Sequence, residues 1–314
     1  MIYLVILLSL LGIVFGADWL VSGSASIAKR FRVSEFVIGA VIVGIGTSMP
    51  EMTVSTIGAI NGNSDVAIGN VVGSNIFNIL GILGITALIR PIPIDMKNMR
   101  FEIPLSILVS IILLFLAMNF YAGSLPTIGR IDGLILLVLF VIFIWYSMYR
   151  DRHEANHDST DTVENPPLTL PIIKVIVGLA LLIYSCDLFV DKSVTLARKF
   201  GLSDSFISIT LIACGTSLPE LAASVTAAIR KNTQLALGNI IGSNIFNITF
   251  ILGVASQISP LTSSGITSVD YIAAIVSSVI IFLLGFVKKI SRAAGIMMIG
   301  LFIGYTLYLL KTTT

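Results

Sequence analysis

Charge is what this chain has least of. Of its 314 residues only 11% are Asp, Glu, Lys or Arg, against 56% hydrophobic. A water-soluble domain carries about 25% charged residues, so a soluble globule of this size is excluded. Cysteine is almost absent: Cys186 and Cys214 both fall in apolar segments, which leaves neither a disulfide framework nor zinc-ligand spacing. The formal charge of +2 is too small to call for a nucleic-acid partner. No basic region precedes the first apolar stretch and no small-residue cleavage site follows it, so a first helix is expected there, not a signal peptide. Short strands of alternating polarity are also missing, which argues against a β-barrel.

What the chain has instead is long apolar runs. Continuous stretches of about 18 to 25 residues, enough to cross a bilayer as helix, recur from end to end. The expected fold is an all-α polytopic membrane protein with ten spans: about 2–21, 36–60, 66–89, 102–119, 131–148, 171–190, 204–229, 235–259, 269–287 and 293–310. The polar segment 149–170 divides them five and five, giving an expected organisation of 1–148, a linker 149–170, and 171–314. With both termini outside the cell membrane, fourteen of the 19 basic residues fall in cytoplasmic loops, the linker included. That is the positive-inside pattern.

The two halves repeat. Residues 16–84 align with 185–253 at a constant offset of 169 without a gap. GTSMPE at 46–51 matches GTSLPE at 215–220, and GNVVGSNIFNI at 69–79 matches GNIIGSNIFNI at 238–248. Five spans, an odd number, separate equivalent positions, so the second copy is inverted. Inverted repeats mark secondary transporters, with the ion site near the bilayer midplane.

Each GTSxPE lies inside an apolar span. Proline removes a backbone donor and clashes with the preceding turn, and glycine loosens the helix. A broken helix is expected, with carbonyls, hydroxyls and a carboxylate brought together, which are the oxygens that hard cations take. Glu51 and Glu220 are the acidic residues nearest the middle of any span, and no basic residue lies at that depth. A charge there costs at least about 2.5 kcal/mol, which favours an ion-binding role over a structural one.

In GSNIFN, Ser74 and Asn78 stand at i and i+4 on one helix face, as do Ser243 and Asn247. These four are expected to touch the ion. The competing reading, helix packing and interhelical hydrogen bonds, fits Gly69, Gly73, Gly238 and Gly242. Asn75 and Asn244 point elsewhere, toward packing or a bond to unwound backbone. Asn70 and Asn239 fit backbone satisfaction better than ion binding.

These paired segments resemble the α-repeats of sodium/calcium exchangers, in the cation/Ca²⁺ exchanger superfamily. The resemblance covers nearly the whole membrane region. It implies Glu51 and Glu220 as central metal ligands, with the Thr47 and Thr216 carbonyls, the Ser48 and Ser217 hydroxyls, and the Gly44 and Ala213 carbonyls. Ser74, Ser243, Asn78 and Asn247 match the family's second motif. Many relatives carry Asp at the last position of one GSNxxN copy, where this chain has Asn at both 78 and 247. Two carboxylates are neutralised by one Ca²⁺ or two Na⁺, and three Na⁺ leave the site at +1.

The resemblance implies Na⁺/Ca²⁺ antiport by alternating access, the leading helices 1–21 and 171–190 sliding on a rigid core. The transported ions are cargo, so no resident cofactor is expected. The partners are the lipid bilayer, Ca²⁺ and Na⁺, and one chain suffices. Two alternatives stay open: H⁺/Ca²⁺ exchange, because a buried Glu can carry a proton, and a cation channel. No nucleophile–base pair or HExxH segment accompanies the glutamates, so an enzyme is not expected. Asp18, Asp187 and Asp191 lie near helix ends, where capping explains them. His153 and His157 read as part of a solvated linker. Trp19, Trp145 and Tyr146 suit interfacial anchoring.

Overall fold

The computed structural model describes residues 2–118, 127–155, 168–200, 214–262 and 265–313. In chain order the helices are α1 (Ile2–Phe31), α2 (Glu35–Thr47), α3 (Met49–Ile60), α4 (Ser64–Ile89), α5 (Glu102–Met118), α6 (Arg130–Ala155), α7 (Thr169–Lys199), α8 (Leu218–Ile229), α9 (Thr233–Ile258), α10 (Ser268–Phe286) and α11 (Arg292–Thr313). Eight of these segments are long and apolar enough to span a bilayer, and α2 with α3 form a ninth, bent by 47°. Of the span expected at 204–229, the described part is residues 214–229, which contain α8.

Helices α1 and α7 run past the expected span ends at 21 and 190. Of the linker expected at 149–170, α6 takes in residues up to Ala155 and α7 begins at Thr169, and 156–167 lie outside the described residues. His153 therefore sits on helix, while His157 lies outside the described residues.

The chain forms two compact units, Met1–Pro50 with Phe143–Asn239 and Glu51–Ile142 with Ile240–Thr314. In the first, α1 and α7 pack antiparallel: Gly12 faces Ser185, Gly16 faces Leu182 and Gly23 faces Pro171. The approach is close because glycine allows it. A Cβ at Gly16 would lie 2.7 Å from the Leu182 amide nitrogen, and one at Gly178 would lie 2.6 Å from that of Leu20. Beneath them Leu20, Val21, Ile38, Val43, Leu182, Ala223 and Leu235 close an apolar core. Gly238 packs against the Phe36 carbonyl, where any side chain would clash.

In the second unit α11 packs on α4 through Gly84 and Gly295, with Phe77 and Phe302 rings 5.0 Å apart. Ser106 of α5 meets Ser278 of α10 at 3.3 Å. Two short antiparallel strand pairs tie the loops: β1 (Ile92–Pro93) with β4 (Lys289–Ile290), and β2 (Thr127–Ile128) with β3 (Leu261–Thr262). The offset of 169 carries β1 onto β3. Each pair joins one loop from each half of the sequence.

The glycines of the second motif are not equivalent. Gly238 is packed, whereas a Cβ at Gly73 would meet nothing within 4 Å among the described residues. The packing expectation therefore fails at Gly73, which is exposed.

Candidate cation site

Both GTSxPE segments take the same backbone conformation at their serine. Ser48 stands between α2 and α3 with φ −82° and ψ 10°, and Ser217 precedes α8 with φ −90° and ψ 10°. Pro50 and Pro219 follow in the first helical turn, where a missing N–H leaves no bond unmade. Glu51 and Glu220 come next, also in the first turn. There the helix dipole favours a negative charge, and both side chains are fully buried.

In the first unit, Ser48 Oγ donates to Glu220 Oε1 at 2.8 Å. The other carboxylate oxygen of Glu220 has no hydrogen-bond partner among the described residues, and neither has Thr216 Oγ1. The Thr47 hydroxyl turns back to the Val43 carbonyl at 3.0 Å and lies 3.2 Å from Asn239 Oδ1. Asn239 in turn donates to the Glu220 carbonyl at 3.3 Å and to Ser224 Oγ at 2.8 Å. The Gly44 carbonyl accepts the Ser48 amide at 3.2 Å and lies 3.4 Å from the Thr47 hydroxyl. Ala213 lies outside the described residues. Asp18 pairs with Arg230, Nε to Oδ1 at 2.7 Å, at a half-exposed position, and Asp191 pairs with its neighbour Lys192 at 2.7 Å.

In the second unit, Asn70 donates to the Glu51 carbonyl at 3.1 Å and to Ser55 Oγ at 3.0 Å. This repeats the arrangement of Asn239, Glu220 and Ser224 at the offset of 169. Ser74 Oγ stands 3.5 Å from Glu51 Oε1. Farther along, α4 becomes π-helical over Phe77–Leu83 and α9 over Asn247–Ile251. Such widened turns recur at functional sites. Asn78 and Asn247 lie in these turns and Ser243 one turn before the second; all three are buried. Asn75 and Asn244, whose roles the sequence left between packing and a backbone bond, donate to each other's backbone carbonyls at 3.1 Å each way.

Among the described residues no cluster of three or more His, Cys, Asp or Glu is present. A cation here must complete its coordination with neutral oxygens, which suits a hard ion such as Ca²⁺ or Na⁺. Two buried carboxylates escaped sequence reasoning: Glu102 in the first turn of α5 and Asp270 in the first turn of α10. Their positions at the ends of predicted spans gave no signal.

The family profile described as "Sodium/calcium exchanger protein" matches residues 1–149 and 170–311. The putative antiporter CaxA of Alkalimonas amylolytica is 40% identical over 312 residues, covering 96% of each chain. The sodium/calcium exchanger MaX1 of Methanosarcina acetivorans is 30% identical over 344 residues, covering 98% of each. Among solved structures, the sodium-calcium exchanger NCX_Mj soaked with zero Na⁺ and Ca²⁺ superimposes with a TM-score of 0.84 at 33% identity. That match covers 98% of this chain and all of the other. The chain is a multi-pass membrane transporter that belongs to the sodium/calcium exchanger family.

Proposed function

We propose that this cation/Ca²⁺ exchanger couples Ca²⁺ movement to Na⁺, by alternating access at one site built on Glu51 and Glu220. The observation that carries the reading is the repeated environment of these carboxylates. Each is fully buried in the first turn of the helix that its Ser–x–Pro sequence opens, and each has its backbone carbonyl held by an asparagine nineteen residues on. Burying a carboxylate at membrane depth is costly, and a bound cation offsets that cost.

In this reading Ca²⁺ is held by Glu51, Glu220 and the carbonyls of Thr47 and Thr216. Na⁺ ions spread over the same carboxylates, the hydroxyls of Ser48, Ser74, Ser217 and Ser243, the amides of Asn78 and Asn247, and the carbonyls of Gly44 and Ala213. Both ions need the same two carboxylates, so they exclude each other and the cycle is antiport. One chain supplies every ligand, so a monomer suffices. The protein resides in the cell membrane with both termini outside.

The test is Ca²⁺ flux in proteoliposomes with Na⁺, K⁺ and H⁺ gradients imposed one at a time. Uptake driven by the Na⁺ gradient alone supports Na⁺ coupling. Uptake driven by a pH gradient with Na⁺ absent assigns the alternative, H⁺/Ca²⁺ exchange.

A further inference from the structure

Four asparagines of the second unit form one closed, symmetric network. Asn75 Nδ2 donates to the Asn244 carbonyl and Asn244 Nδ2 to the Asn75 carbonyl, both at 3.1 Å. The remaining ends of these amides accept from the next asparagines: Asn247 Nδ2 to Asn75 Oδ1, and Asn78 Nδ2 to Asn244 Oδ1, both at 3.0 Å. All four side chains are buried.

The chemistry fixes the sense of every amide. A backbone carbonyl only accepts, so it must face the NH₂ of Asn75 or Asn244. Their oxygens are thereby turned toward positions 247 and 78, which must present donors. Asn78 and Asn247 spend their NH₂ groups there, and their Oδ1 atoms have no hydrogen-bond partner among the described residues. A side-chain amide free to rotate would present donor and acceptor alternately to a cation. Here a chain of forced choices, beginning at two main-chain carbonyls, leaves only oxygen for the ion.

We propose that Asn75 and Asn244 are positioning residues of the exchange site. Each orients the ion-facing amide oxygen contributed by the opposite repeat, Asn75 acting on Asn247 and Asn244 acting on Asn78. The proposal rests on the reading of Asn78 and Asn247 as ion ligands. It makes a crossed prediction that packing alone does not make: coupling runs between repeats, from 75 to 247 and from 244 to 78, and not within a repeat, from 75 to 78 or from 244 to 247.

Double-mutant cycles on the Ca²⁺ half-saturation of reconstituted exchange test this. Asn75→Ala is expected to weaken Ca²⁺ about 10-fold, the lower end for loss of a group that orients a metal ligand. In an Asn247→Ala background the same change is expected to do almost nothing more, because the oxygen it orients is already gone. In an Asn78→Ala background its full effect is expected to remain. Equal, additive effects in both backgrounds would overturn the proposal. So would an Asn75→Ala protein with lowered thermal stability and unchanged Ca²⁺ half-saturation. If Asn75→Ala does not yield folded protein, Asn75→Ser is carried through the same cycle with the same criteria. Glu51→Gln in the same assay separates the two levels: loss of exchange there together with additive cycles removes the positioning role alone, whereas retained exchange removes the ion-site reading beneath it.

Discussion

Ser48 Oγ donates a 2.8 Å hydrogen bond to Oε1 of Glu220, with both side chains fully buried. The serine that precedes α3 thus holds the carboxylate in the first turn of α8. A hydrogen bond to a charged group is worth about 1.5–3 kcal/mol, and about 1.4 kcal/mol is a factor of ten in affinity. Ser48→Ala is therefore expected to raise the Ca²⁺ concentration for half-maximal exchange by about 10- to 100-fold. Dose–response curves in proteoliposomes check this, and an unchanged midpoint would remove Ser48 from the site.

Asn70 and Asn239 make matching pairs of bonds, to the Glu51 carbonyl and Ser55 and to the Glu220 carbonyl and Ser224. Removing either amide leaves a buried main-chain carbonyl and a hydroxyl short of a donor, at about 1–3 kcal/mol. Asn70→Ala and Asn239→Ala are expected to lower the thermal midpoint of the purified protein by similar amounts. A large loss in one and none in the other would contradict the equivalence of the two environments.

The α1–α7 contact depends on bare backbone. With a Cβ at Gly16 placed 2.7 Å from the Leu182 nitrogen, the helices must separate, and overpacking of this kind costs about 1–3 kcal/mol. Gly16→Ala is expected to destabilise measurably. Gly300→Ala, where nothing lies within 4 Å among the described residues, is expected to be neutral or slightly stabilising, since alanine is the better helix former. Thermal unfolding of the two variants side by side decides.

Protons and Ca²⁺ compete for the same oxygens if Glu51 and Glu220 are the ligands, because each binds metal only when ionised. Lowering the pH is expected to raise the Ca²⁺ half-saturation while saturating Ca²⁺ restores the maximal rate. A fall in maximal rate at constant half-saturation would place the titrating group elsewhere.

The two strand pairs test the inversion. Cysteine pairs at Ile92 and Ile290, and at Thr127 and Thr262, stand opposite each other in register. Each is expected to cross-link under mild oxidation, and single cysteines at Lys289 and Thr262 are expected to react with a membrane-impermeant thiol reagent from opposite sides of the membrane. Labelling of both from one side would contradict an inverted repeat.

The part of this architecture legible in the sequence was what repetition and charge scarcity reveal. Two glutamates in apolar spans, each following a proline, announced both the broken helices and the carboxylates. The break expected from the glycine and proline of the first copy falls at Ser48. Less legible was anything settled by contact between distant segments. Asn75 and Asn244 carried two equal readings, because nothing in the pattern says that each will meet the other's carbonyl. The π-helical turns at Phe77 and Asn247 leave no mark on apolar periodicity. Gly69 and Gly238 occupy matching motif positions, yet a Cβ at Gly238 would meet the Phe36 backbone and one at Gly69 only the Ile266 side chain. The ends of α1, α6 and α7 ran past their expected limits because helical backbone continues into polar residues once it is nucleated.

The central claim is that one pair of buried carboxylates carries both ions, and Na⁺-dependent ⁴⁵Ca²⁺ flux in proteoliposomes tests it most directly. With the wild-type chain, uptake is expected to follow an outward Na⁺ gradient and to vanish without it, and Glu51→Gln or Glu220→Gln is each expected to abolish it while leaving the protein folded. Full exchange retained by either variant would contradict the account.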